Sequence, residues 1–374
     1  MNLYKISLLV AVFFMLNSYA YSQLVDPLAT RQTRNLYRHL LSMNKKEMMI
    51  GHQDDLAYGV GWKYEKDRSD IKDLTGNYPS VFGWDVAGIE NQDKLNLDGI
   101  PFEKMKAFIV KAYDMGAVNT LSWHMPNPVS GKNAWDTTSG ALSSLLPGNK
   151  NHKLYRRWLD RFAAFSSSLR GTDGQAIPIL FRPLHEHSGG WFWWGAKSCS
   201  PQEYKTLWMF TVNYLRKTRK LHNLIYVFNP CDFDNQEQYL ERYPGDDFVD
   251  VLSFDAYQYG GIGKNDFFKA DLSKKLAIQA RIAESRNKPA ALAETGFVEI
   301  PDPNWWTDTF APAVQSDIPA YVLFWRNAGY RPIEKDNHYY APYPGQQSAQ
   351  DFIRFLNHKM IIMQPQAQSK RLYE

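Results

Sequence analysis

Apolar residues in this chain gather in short dense runs, and longer amphipathic stretches lie between them. Eight of the runs read as candidate strands: 48–52, 80–84, 117–124, 177–184, 223–229, 249–257, 290–294 and 320–325. They are nearly continuous in apolar character, as expected of strands buried on both faces of a parallel sheet. Helical stretches fall between them at 103–115, 155–169, 201–220, 272–286 and 348–357. The first of these spaces Met105, Phe108, Ile109 and Tyr113 close to a 3.6-residue period. The third follows Ser200, a good N-cap, and has proline at its first helical position. Strands alternating with helices, with no visible linker, predict an α/β fold: one (β/α)8 TIM barrel filling residues 23–374 as a single domain. A doubly wound open sheet would carry a Gly-rich phosphate loop after its first strand, and Gly51-His52-Gln53-Asp54-Asp55 is not one. Residues 127–151, rich in Gly, Ser, Asn and Pro, predict a long loop above the third strand that shapes a cleft. The polar tail beyond Met363 predicts a frayed end.

The N-terminus changes the picture of where such a barrel works. Lys5 precedes an apolar stretch at 6–16 and a small, polar stretch at 17–22, and both Ser18-Tyr19-Ala20 and Ala20-Tyr21-Ser22 resemble cleavage sites. This predicts a signal peptide over residues 1–22 and export to a periplasm or the medium. The apolar core is short for a membrane span, and no cysteine stands near the cleavage site to take a lipid, so no membrane anchor is expected. With 44% hydrophobic and 15% aromatic residues, the chain can bury a sizeable core. Its net charge of +4 is spread without a sustained basic run, which leaves nucleic-acid binding without support. The two cysteines, Cys199 and Cys231, follow two successive candidate strands, and in an exported protein that spacing allows one disulfide between the loops. No Cys-x-x-Cys or His-Glu-x-x-His occurs, so neither a metal nor another cofactor is expected.

The candidate chemistry sits where the strands end. Phe181-Arg182-Pro183-Leu184-His185-Glu186 leads into Trp191-Phe192-Trp193-Trp194, and Ala291-Leu292-Ala293 ends in Glu294-Thr295-Gly296. Each run delivers a carboxylate to the carboxyl end of a strand, the catalytic face of such barrels. Two separated carboxylates on one rim suit glycoside hydrolysis, with one as general acid and the other as nucleophile or base. The tryptophan run offers flat apolar faces for sugar rings. By two-residue alternation Arg182, Leu184 and Glu186 share one side of the fourth strand, so Arg182 either orients a carboxylate or forms a structural ion pair. Tyr257, at the end of the sixth strand, could aim its hydroxyl at Glu294 and favour the ionised form. Trp325 could floor a sugar site with Arg326 holding hydroxyls, and His124, at the third strand's end, could do the same.

In chain order, Gly51-His52-Gln53, Ser122-Trp123-His124, Arg182-Pro183-Leu184-His185-Glu186 with Trp191 to Gly195, Ser253-Phe254-Asp255-Ala256-Tyr257, Glu294-Thr295-Gly296 and Phe324-Trp325-Arg326 resemble the glycoside hydrolase family 26 β-mannanases. The resemblance implies a retaining (β/α)8 hydrolase with carboxylates on strands four and seven, with Glu186 as acid/base and Glu294 as nucleophile. His185 occupies the place where related families carry asparagine and this one histidine. It also implies that Tyr257 is bonded to the nucleophile, that Asp255 is the acid before it, and that His185 and Trp191 stand beside the cleavage point. His124, Trp325 and Arg326 would line the glycone side, with Trp135 as a further sugar platform. The expected partner is β-mannan and its oligosaccharides, bound by a monomer. Two other specificities occur in the family, β-glucan of mixed linkage and β-1,3-xylan. A non-catalytic glycan-binding barrel is the alternative of another class.

Overall fold

The computed structural model describes residues 24–331 and 335–374. The expected signal peptide, residues 1–22, lies outside the described residues. Eight parallel strands form the core: β1 (Met48–Gln53), β2 (Val81–Asp85), β3 (Val118–Trp123), β4 (Ile179–Pro183), β5 (Leu224–Phe228), β6 (Val251–Gln258), β7 (Ala290–Phe297) and β8 (Tyr321–Phe324). Each pairs with the next, and β8 returns to β1 with Met49 opposite Tyr321 and His52 opposite Phe324. That closure leaves no edge, and with helices such as Phe102–Asp114, His152–Ser168 and Asn265–Arg286 outside it makes the (β/α)8 barrel that the alternation predicts. The strands are buried almost throughout, which explains their continuous apolar character. At Gly51 a Cβ would come within 2.9 Å of Val81 on one side and of the Val322 carbonyl on the other, so the closing seam has no room for a side chain there.

The helix Pro201–Asn213 starts as the sequence predicts. Ser200 Oγ accepts from Glu203 N at 3.2 Å, and Glu203 Oε2 accepts from Ser200 N at 2.8 Å, a reciprocal capping box. It then widens into a π turn over Tyr214–Thr218. The long loop of residues 127–151 is not structureless, since Ala141–Leu145 is helical.

Three local features depart from the sequence reading. Strand β7 carries one extra residue relative to both neighbours, because Phe254 and Asp255 pair with Leu292 and Glu294, while Val322 and Phe324 pair with Leu292 and Thr295. This bulge re-aims the side chain at Glu294, and the apolar run gives no sign of it. Cys199 and Cys231 are not joined: both are free and buried. Cys199 Sγ lies 3.2 Å from the Trp194 carbonyl, and Cys231 Sγ lies 3.4 Å from Ser188 Oγ, so each has partners within its own surroundings. The polar tail is not frayed either. Gln364–Ser369 is helical, Leu372 is buried, and Tyr373 Oη donates to the Ala117 carbonyl at 2.6 Å. Polar spacing hid a few buried anchors. Among the described residues no helix is long and apolar enough to cross a membrane.

Deleting residues 364–374 removes Leu372 and Tyr373 from the core. At about 1.5–3 kcal/mol for each large buried side chain, the calorimetric unfolding midpoint is expected to fall by several degrees. An unchanged midpoint would show the tail to be dispensable.

Candidate active site

A single guanidinium organises the carboxyl end of the barrel. Arg182, on β4, points inward and is 1% exposed. Its NH1 donates to Asp255 Oδ2 at 3.1 Å, and its NH2 donates to Glu294 Oε1. Asp255 also accepts from Asn229 Nδ2 at 2.6 Å, and Glu294 Oε2 accepts from Tyr257 Oη at 2.7 Å. Both oxygens of Glu294 therefore face donors, as the sequence anticipates for Tyr257. Arg182 fills both roles open to it, since it bonds the Glu294 carboxylate and forms a buried ion pair with Asp255.

Glu186 is placed differently. Strand β4 ends at Pro183, and Leu184 and Glu186 have φ of 51° and 52°, in the left-handed region. The simple alternation from Arg182 to Glu186 therefore breaks off at the strand end. Glu186 N instead bonds the Asn229 carbonyl at 2.7 Å, and Trp194 Nε1 bonds the His185 carbonyl at 2.7 Å. These contacts hold two non-glycine residues in a costly backbone region. The Glu186 carboxylate accepts from Trp191 Nε1 at 2.8 Å. Burial, then the negative charge of Glu294, pushes its proton affinity up to a pKa of about 7. One oxygen from each of Glu186, Asp255 and Glu294 lies within 4.8 Å of the others. Arg182 already supplies the positive charge between two of these three acids.

Beside Glu186 the wall is aromatic. His185 Nε2 faces His124 Nε2 at 3.2 Å, His124 Nδ1 lies 2.7 Å from Asp85 Oδ2, and Trp135 stacks on His124 with centroids 5.1 Å apart. His124 and Trp135 share a cavity with Trp325, Arg326 and Asp98, of about 1140 Å³ including its open mouth. Arg326 lies over the Trp325 ring, 5.2 Å from its centroid, and is ion-paired to Asp98. Arg182 and the ten other residues singled out from the sequence for the site lie on this face or in the loops above it. The tryptophan run divides, however. Trp191 is 43% exposed, whereas Phe192, Trp193 and Trp194 are buried and cannot offer faces to a sugar.

Sequence reasoning missed Asp85, Asp98 and Asn229. Asp85 was within reach, since it ends β2 as Glu294 falls within β7, a carboxylate after an apolar run. Asp98 lies in a loop with no local signal, and Asn229 looks like an ordinary residue after a strand.

The family model for glycosyl hydrolase family 26 matches residues 25–299. A mannan endo-1,4-beta-mannosidase of Bifidobacterium adolescentis is 35% identical over 322 residues, which is 81% of this chain but 32% of its own length, so the chain spans about a third of that relative. Among solved structures, a GH26 beta-mannanase from Bacteroides ovatus is 41% identical with a TM-score of 0.87, covering 92% of this chain and 98% of that one. A modular endo-beta-1,4-mannanase from Cellulomonas fimi is 34% identical with a TM-score of 0.82, covering 92% and 78%.

The raised proton affinity of Glu186 has a thermodynamic consequence. Its ordinary value of 4.5 rises to about 7 in the fold, so the bound proton contributes stability fully below pH 4.5, and that contribution is lost as pH climbs through 7. Glu186→Gln, which stays neutral, should therefore gain in unfolding midpoint over the wild type as pH rises from 4.5 to 8. A difference between the two proteins that is constant over this range would contradict it.

Proposed function

This chain belongs to glycosyl hydrolase family 26, and on that premise we propose that it is a retaining, endo-acting β-1,4-mannanase. Its substrates are β-mannan, galactomannan or glucomannan, cut by double displacement to manno-oligosaccharides, mainly mannobiose. The observation that carries this reading is the approach of Glu186 and Glu294. One oxygen of each lies within 4.8 Å of the other, close to the separation of about 5–5.5 Å in retaining enzymes and short of the 6.5–9.5 Å that leaves room for an attacking water. The mannanase names of the relatives support the choice of mannan.

The two carboxyls have surroundings suited to opposite tasks. Glu186, with its affinity for a proton raised to about 7, is the general acid. Glu294, which receives charge-assisted bonding from Arg182 and a phenol from Tyr257, is the nucleophile. In the first step a Glu294 oxygen bonds the anomeric carbon while the glycosidic C–O bond breaks, and the Glu186 proton goes to the leaving oxygen. Ester formation removes the negative charge that held the proton on Glu186, which becomes the base. It then takes a proton from water as the water oxygen attacks the anomeric carbon and frees Glu294. Trp325, Arg326, His124 and Trp135 form the glycone wall, Trp191 begins the aglycone side, and His185 stands between them. Asp255 acts through Arg182. The enzyme acts as a monomer after export directed by residues 1–22.

Three outcomes test the reading. Glu186→Ala and Glu294→Ala should each cost several orders of magnitude in turnover on mannan, and with an activated aryl mannoside azide should restore part of the Glu294→Ala activity as the α-azide. Near-normal turnover by Glu294→Ala would end the mechanism. Proton NMR of fresh hydrolysate should show the β-anomer first, and kcat/KM should fall on its basic side near pH 7, where Glu186 loses its proton. An initial α-anomer would mean inversion. Each aromatic contact is worth only about 1 kcal/mol, so several subsites must fill together and mannobiose should be split far more slowly than mannopentaose. Equal rates on the two would overturn the multi-subsite cleft.

A further inference from the structure

The wall beside Glu186 poses a proton-counting question. Asp85 accepts from four donors: Ala87 N at 2.8 Å, His124 N at 3.4 Å, Ser122 Oγ at 2.8 Å and His124 Nδ1 at 2.7 Å. An acceptor so used is a carboxylate, so His124 Nδ1 carries a hydrogen. On the far side of the ring, Nε2 of His124 meets Nε2 of His185 at 3.2 Å, with the two rings nearly perpendicular at 84°. Two lone pairs cannot face each other at that distance, so one of the two nitrogens is protonated.

A neutral His185 with its hydrogen on Nε2 would satisfy this contact as well as a charged His124 does, so the surroundings of His124 carry the assignment. His185 lies against Phe192 and Trp194, and burial is the main reason it stays neutral, with the positive charge of Arg182 acting the same way. His124 is tied to the Asp85 carboxylate and stacks at 14° on the face of Trp135, a geometry that favours a cation. Although burial alone would lower its proton affinity, Asp85, Glu294 and Glu186 together raise it. Other charges around the cleft are Arg182 on β4, and Arg326 with Asp98 across the cavity.

We propose that Asp85 is a positioning residue of the reaction: its carboxylate keeps His124 an imidazolium that donates to Nε2 of His185, fixing the ring next to Glu186 and setting a positive charge beside the two glutamates. This deepens the mannanase reading and rests on it for its kinetic part. The charge has a task in the cycle. When Glu186 gives up its proton to the leaving group it becomes an anion in a half-buried site, and the imidazolium stabilises that anion. His124, and not Asp85, is among the charges that act most on Glu186, so neutralising the pair removes a cation that Glu186 feels.

Asp85→Asn keeps the size, removes the counter-charge and turns one of the two accepting oxygens into a donor. The nine histidines can be labelled with nitrogen-15. In the wild type at pH 7 His124 is expected to show two protonated nitrogens and His185 one, and in Asp85→Asn His124 should fall to one. On an aryl β-mannobioside the basic limb of kcat/KM should then move up by about one unit, the scale of losing a nearby charge, with kcat lowered about tenfold or more. Asp85→Glu should recover part of both. A purely structural role would lower activity and leave the limb in place, and that result overturns the assignment. So does a wild-type His124 with a single protonated nitrogen, which can be read even if Asp85→Asn fails to fold. Failure of the wild type to hydrolyse any β-mannoside would sink the mannanase reading alone, since the nitrogen spectrum does not depend on turnover.

Discussion

Everything at the carboxyl end of this barrel is arranged around a guanidinium that water cannot reach. Taking Arg182 and two carboxylates out of water costs several kcal/mol per ion, and only close, well-directed pairing offsets it. Arg182 meets Asp255 on β6 and Glu294 on β7, and Asp255 is held in turn by Asn229 after β5. The ends of β4, β6 and β7 are thereby held in register by charge, and the end of β5 by a hydrogen bond. A shift of one residue in β4, β6 or β7 would leave an ion without its partner. The extra residue in β7 belongs to this constraint, because it sets Glu294 opposite Asp255, both within reach of one fork of donors.

The same constraint separates two chemically identical side chains. Glu294 sits on a strand, anchored through both oxygens by groups that tolerate or prefer its charge. Glu186 sits past the strand end on a strained turn, with an indole N–H as its hydrogen-bond donor and Glu294 as its nearest electrostatic opponent. Burial and repulsion hold a proton on one, and the guanidinium serves the other. Difference in environment, not in residue type, sets the two carboxyls apart.

The barrel was legible because its strands are buried on both faces, so the apolar runs mark them directly, and all eight fall within a few residues of the predicted spans. The two glutamates were legible for a related reason, since a charged residue after an apolar run has few structural excuses. What stayed hidden depends on pairing between distant segments. The bulge in β7 exists only relative to β6 and β8, the turn at Leu184 is held by the loop after β5, and Asp98 gains its meaning from Arg326 more than two hundred residues away. The tail misled for the opposite reason. A few anchors such as Leu372 and Tyr373 outweigh a polar majority, and composition averages them away.

The tryptophan run shows how a loop can carry a site as firmly as a strand does. Trp193 donates to the Met125 carbonyl at 2.9 Å and Trp194 to that of His185, while Phe192 stacks on Trp194 with centroids 4.5 Å apart. Three buried rings thus tie the loop after β4 to the loop after β3, and in doing so fix the backbone that bears His185 and Glu186. Only Trp191 is left over, with its indole N–H on Glu186 and its ring displayed in the cleft. A cluster that looks like a row of sugar platforms is therefore mostly foundation. Loops are ordinarily less exact supports than strands, and placing a carboxylate beyond a strand end demands such a foundation, because the left-handed turn that carries it would relax without one.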